Sequence, residues 1–123
     1  MTRIAMIDVP APCQFINSNQ RLHRMAQAKL TKTWRNATAL AAHGTQPFAG
    51  QVRIIAHIYK PRNGRYDPNN LWPTIKACVD GIVDAGVLVD DDHKHVIGPD
   101  MRNGGIGNPE IILEIIELRK GCQ

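Results

Sequence analysis

The chain has 123 residues, 43% of them hydrophobic and 21% charged, with 15 Lys and Arg against 11 Asp and Glu for a net charge of +4. That length suits a single domain spanning 1–123 with a modest core, and the composition excludes a low-complexity or fibrous chain. No apolar run approaches the roughly 18 residues a membrane helix needs, and MTRIAMIDVP is too short an apolar start for a signal peptide. A soluble, intracellular, cytoplasmic protein is therefore expected. Cys13, Cys78 and Cys122 form no C-x-x-C pair, which fits a reducing compartment and argues against a cysteine zinc site.

Arg3 to Val9 reads as a strand closed by Pro10 and Pro12. The Asn- and Ser-rich segment that follows offers helix caps, and a helix is expected from about Gln20 to Ala42, ended by Gly44. Leu22, Ala26, Leu30, Thr33, Ala37 and Leu40 recur at helical spacing, with Met25 and Trp34 widening the stripe. The opposite face carries Arg24, Lys29, Lys32 and Arg35, either as a solvated face or as phosphate contacts. Gln51 to Tyr59 alternates as a strand, and Lys60 to Arg65 is a basic turn containing Lys60, Arg62 and Arg65.

A second helix is expected from near Trp72-Pro73-Thr74, since proline suits a first turn, to a stop at Gly86. Its buried stripe is Ile75, Val79, Ile82 and Val83, while Lys76, Asp80 and Asp84 share another face. His93 to Ile97 is read as half of a hairpin, and Arg102 to Asn108, RNGGIGN, as a glycine-rich loop. That loop lacks the Lys-Ser/Thr of a phosphate-binding loop, so no nucleotide cofactor is expected. Glu110 to Leu118 is ambiguous in its charge spacing but favours a strand because β-branched residues dominate. The pattern predicts an α/β (α+β) domain of two layers, with a mixed or antiparallel sheet of about four strands packed by two helices.

Six of the 11 acids lie between Tyr66 and Val96. Asp67 opens the stretch in an Asp-Pro-Asn-Asn turn, and Asp90, Asp91 and Asp92 close it as a block. Carboxylates folded back on one another repel, so such a pairing points to a bound cation. A solvated acidic turn is the plainer alternative. His93 and His95 are not taken as ligands.

The ordered set Asp67, Asn69-Asn70, Lys76, Asp80, Ala85-Gly86 and Asp90-Asp91 resembles the RusA family of Holliday-junction resolvases, most strongly from Asp67 to Val96. The family's second aspartate is Asn69 here, and Trp72-Pro73-Thr74 lengthens the spacing to Lys76. The resemblance implies a homodimer that nicks four-way DNA junctions symmetrically with Mg2+, or Mn2+. Asp67, Asp90 and Asp91 would be catalytic metal ligands, assisted by the Asn69 carbonyl, and Lys76 would stabilise charge on the phosphate. Lys29, Lys32, Arg35, Lys60, Arg62 and Arg65 would hold branched DNA by its phosphates. A phage or prophage origin is in keeping with this resemblance. The alternative is a structure-specific DNA-binding protein that keeps the fold but cleaves weakly or not at all.

Overall fold

Alternation of enclosed and outward residues, clearest in β1 and β4, sets the sheet. The computed structural model describes residues 2–62 and 66–118. In chain order it contains β1 (Ile4–Pro10), α1 (Arg24–Ala41), β2 (Val52–Lys60), a 3-10 turn (Pro68–Leu71), α2 (Trp72–Asp84), β3 (Val96–Ile106) and β4 (Glu110–Glu117). The sheet is mixed, with strand order β1-β4-β2-β3. β4 lies antiparallel to both β1 and β2, and β3 runs parallel to β2. Ile7 and Val9, Val52 to Ile58 at every second residue, and Ile111, Leu113 and Ile115 all bury one face. They share a core with residues of both helices, giving the expected two-layer α+β arrangement. No helix among the described residues is long and apolar enough to cross a membrane.

α2 is the most enclosed element. Thr74, Ile75, Ala77, Cys78, Val79, Gly81 and Ile82 are all buried. Burial pushes the Cys78 thiol up to about 12, opposed by its hydrogen bond with Thr38, so it is an inert core group rather than a reactive one. α1 crosses so closely that a Cβ on Gly81 would lie 2.5 Å from the Arg35 carbonyl oxygen and 2.8 Å from Thr38 Cβ. The Thr74 hydroxyl donates to Ile16 O at 2.9 Å and accepts from Ile16 N–H at 2.7 Å, pinning the segment before α1. Trp34 completes that anchor: its Nε1 donates to Gln14 O at 2.9 Å and its ring stacks on Phe15 at 5.5 Å.

Four sequence expectations are corrected. α1 begins at Arg24, not near Gln20, because His23 supplies the cap by accepting from the Met25 N–H. Asn17 and Gln20 instead build a turn of their own. The apolar stripe of α1 is also narrower than its periodicity suggests. Only Trp34 and Thr38 are buried, whereas Met25 and Leu40 are 76% and 78% exposed. His93 to Ile97 forms no hairpin: Val96 and Ile97 start β3 beside Val52 and Arg53 of the parallel neighbour β2. Arg102 to Ile106, expected as loop, is strand. Its glycines are accommodated at a register shift between Ile58 and Tyr59, where a Cβ on Gly104 would strike the Tyr59 ring at 2.8 Å.

Gly81→Ala forces the helix crossing apart and should cost about 1–3 kcal/mol, as overpacked sites do. Urea unfolding measures it, and unchanged stability would show that the crossing has slack.

Candidate functional site

α2 has a single stripe that reaches solvent, and that stripe carries its charges. Lys76 and Asp80 lie one turn apart, and Lys76 Nζ donates to Asp80 Oδ1 at 2.8 Å. The same ammonium donates to Asp91 Oδ2, from the acidic block beyond the helix. One cation therefore bridges two carboxylates that the chain delivers from different elements. The hydrogen bonds to Asp80 and then Asp91 hold the Lys76 ammonium above the usual lysine range, with partial burial opposing them. The Lys76 hydrogen bond in turn holds the Asp91 carboxyl below the usual aspartate range.

Asp84, the second acid of the helix stripe, is drawn away to α1. Arg35 Nε and the guanidinium's NH2 group donate to its two oxygens at 2.6 and 2.8 Å. Arg35, expected among the phosphate contacts, is therefore committed to a bidentate pair across the two helices. That pair holds the exposed Asp84 carboxyl low.

Asp67 stands at the other end of α2. Its Oδ1 accepts from the Asn69 N–H at 2.9 Å, capping the 3-10 turn that leads directly into the helix. Asn69 is exposed in that turn. Asp90 plays the same local role in its loop, accepting from the Asp91 N–H at 2.7 Å. Asp92 Oδ1 takes the Lys94 N–H and lies 2.5 Å from His95 Nδ1. That contact holds the Asp92 carboxyl below its usual range. The carboxylates expected as ligands are thus split between a clamp on Lys76 and two backbone caps. Among the described residues, no three His, Cys, Asp or Glu side chains converge as a ready-made cation cage. The donor chemistry still suits a hard cation: Asp67, Asp90 and Asp91 each use one oxygen in these contacts and leave the other without a hydrogen bond among the described residues.

The basic surface divides similarly. Lys29 and Lys32 are exposed on α1, a helix with no acidic residue in its sequence. Arg24, Gln27, Ala28, Thr31, Lys32 and Arg35 line a shallow trough of about 500 Å³ along it. Lys29 is not among its lining residues, whereas Arg24 is. Lys60 lies 4.1 Å from the centre of the Tyr66 ring, next to Asp67. Arg62 is exposed, and Arg65 lies outside the described residues. Sequence reasoning set Asp80 on one face with Lys76 but could not assign the Lys76–Asp91 contact, because nothing local records which loop acid returns to a helix. No protein-family model matches the sequence, and a search of curated proteins finds no match.

The clamp sets a pH window. The Asp91 carboxyl is depressed on folding, so its contribution is complete above the unfolded aspartate value of about 3.9 and is lost as pH falls through the lower folded value. Lys76 is raised, so its contribution is complete below the unfolded lysine value of about 10.4 and is lost as pH rises through the higher folded one. Asp91→Asn should therefore flatten the acid side of the stability profile. Urea midpoints measured from pH 3 to 7 test this, and an unchanged acid slope would mean that the clamp contributes nothing.

Proposed function

We propose that this protein is a magnesium-dependent endodeoxyribonuclease that resolves Holliday junctions and other branched DNA as a homodimer, making paired symmetric nicks. The observation that carries the reading is Lys76 held against Asp91, beside the Asp90–Asp92 block, on the helix that Asp67 caps through its leading turn. This places the lysine and both ends of the acidic motif on or against one rigid element. Precise placement of that kind matters more for phosphodiester hydrolysis than for a solvated turn. The cationic α1, with Lys29 and Lys32 exposed, supports a polyanionic substrate held by its backbone.

Asp67 and Asp91, with Asp90 and the Asn69 carbonyl, would hold Mg2+ or Mn2+ through their uncommitted oxygens. A bound divalent ion would lower the pKa of a water molecule and neutralise charge developing on the phosphate. Lys76 would keep its bond to Asp80 and turn its ammonium toward that charge, where its effect is greatest in the transition state. Lys32, Lys29, Lys60 and Arg62 would bind phosphates of the junction arms. A dimer would supply two such sites related by symmetry, as paired nicks require.

A second reading, a junction-binding protein that cleaves weakly or not at all, is favoured by Asn69 in place of a charged ligand and by the prior engagement of Asp91 with Lys76. Incubation of a synthetic four-way junction with magnesium decides between them. Asp67→Asn and Asp91→Asn should each reduce cleavage about 100-fold or more, while binding in calcium persists. Parental rates in both variants would remove these residues from the chemistry, and binding without cleavage by the parent protein would favour the second reading.

The grip on DNA has its own test. Lys29→Ala with Lys32→Ala should lower the salt dependence of junction binding by about one unit per lost phosphate contact. Filter binding between low and moderate salt measures the slope, and an unchanged slope would take α1 out of the interface.

A further inference from the structure

The chain has two tryptophans. Trp34 is 0% exposed, whereas Trp72 is 42% exposed. An indole left half in water forgoes much of the stabilisation that burial would give, so its position is informative. Trp72, Lys76, Asp80 and Asp84 follow one another at intervals of four, and Pro73 and Val83 are the other residues of α2 that are not buried. The indole therefore heads the stripe that carries the Lys76 clamp, one helical turn of about 5.4 Å before the lysine.

Trp72, Pro73 and Thr74, which lengthen the spacing to Lys76 relative to the RusA pattern, form the first turn of α2 rather than a loop. The Trp72 N–H donates to Asn69 O inside the turn that Asp67 caps, and Pro73 follows directly. With its backbone held in this way, the ring has only two torsions to order when a ligand stacks on it. The stripe thus presents an aromatic face and then an ammonium, with Asp67 before the ring and Asp91 on the lysine. A nucleotide carries the complementary pair in one unit, a flat π-face and an anionic phosphate. In a continuous duplex that face is covered by neighbouring bases, and exposing it costs unstacking and unpairing. At a branch point the face can be open at little cost.

We propose that Trp72 is a stacking platform for a nucleobase unstacked at the branch of the DNA substrate, and that it sets the preference of this site for branched over continuous duplex DNA. The base lies on the indole while its backbone phosphate passes Lys76. The inference rests on the junction-cleaving or junction-binding reading for its substrate class, and adds to it the residue that senses branching. The phosphate contacts of α1 are available to a continuous duplex as well, so they do not make that distinction.

Intrinsic fluorescence of the parent chain tests it. Trp34 is enclosed, so quenching by a stacked base reports Trp72. A synthetic four-way junction added in calcium should quench the emission, and a continuous duplex of the same length should not. Trp72→Ala should weaken junction binding about 10-fold or more and duplex binding far less. It should leave the salt slope of junction binding unchanged, because no phosphate contact is lost. Trp72→Phe keeps an aromatic face and should retain most of the junction preference. Junction binding without quenching overturns the inference and leaves the nuclease reading intact. So does a Trp72→Ala variant that keeps the parent's preference or loses junction and duplex binding equally. If circular dichroism shows Trp72→Ala unfolded, the parent's quenching and the Trp72→Phe preference decide. A parent chain that neither binds nor cleaves the junction overturns both this inference and the reading it rests on.

Discussion

α2 is squeezed between α1 and the sheet, and that constraint governs where the molecule can put charge. Seven of its residues are buried, among them a glycine whose lack of a side chain lets the Arg35 backbone approach. No charged group fits on such a face without a large desolvation cost. Lys76, Asp80 and Asp84 therefore occupy the one stripe that reaches solvent, and each finds a partner there. Lys76 takes Asp80 and Asp91, and Asp84 takes Arg35. The pairs tie the helix to the acidic loop on one side and to α1 on the other, so the charge pattern of a single stripe helps to set the positions of two neighbouring elements.

How much of this was legible depended on whether a residue's environment is local. α2 was readable because its buried stripe, first-turn proline and Gly86 at φ 81° are all local signals. β2 and β4 were readable because one of their faces meets a core and the other does not, which leaves a period of two in the sequence. β3 was hidden. VIGPDMRNGGI has the composition of a loop, and it is a strand because β2 offers it a parallel backbone edge and the Tyr59 ring packs where Gly104 has no side chain. In α1 the apolar period continued past the buried patch: Trp34 and Thr38 are enclosed, while Met25 and Leu40 remain exposed. Periodicity reports which residues could face a partner, not how far the partner extends.

The candidate site divides in the same way. The identity of Lys76 and the acidic block was evident from residue type and order, and so was the placement of Lys76 and Asp80 on one helix face. That Asp91, rather than Asp90 or Asp92, returns to Lys76 is a tertiary fact. So is the pairing of Arg35 with Asp84, which takes a cation out of the basic surface that the family resemblance had implied for phosphate. Asp67 and Asp90 were legible as acids but not as caps, although an Asp at the head of a Pro-Asn-Asn turn is a natural acceptor for the next exposed N–H.

The clamp bears directly on how the proposed chemistry could be switched on only with metal. Two carboxylates brought near Lys76 would repel if left alone, and the ammonium neutralises them. It does so with a mobile charge rather than a fixed one, because a lysine side chain is long and its three donors can be redistributed. A divalent ion competing for Asp91 would have to displace only one of its two contacts, since Asp80, on the same helix, would still anchor the amine. The released donor would then face whatever anion the metal attracts. An arginine would not serve as well here, because its planar fork, engaged bidentately as in Arg35–Asp84, gives up both bonds or neither. A site of the proposed kind would thus be stable without metal and responsive to it, because its central cation is a lysine held by two acids of unequal attachment: one rigid on the helix, one on a loop.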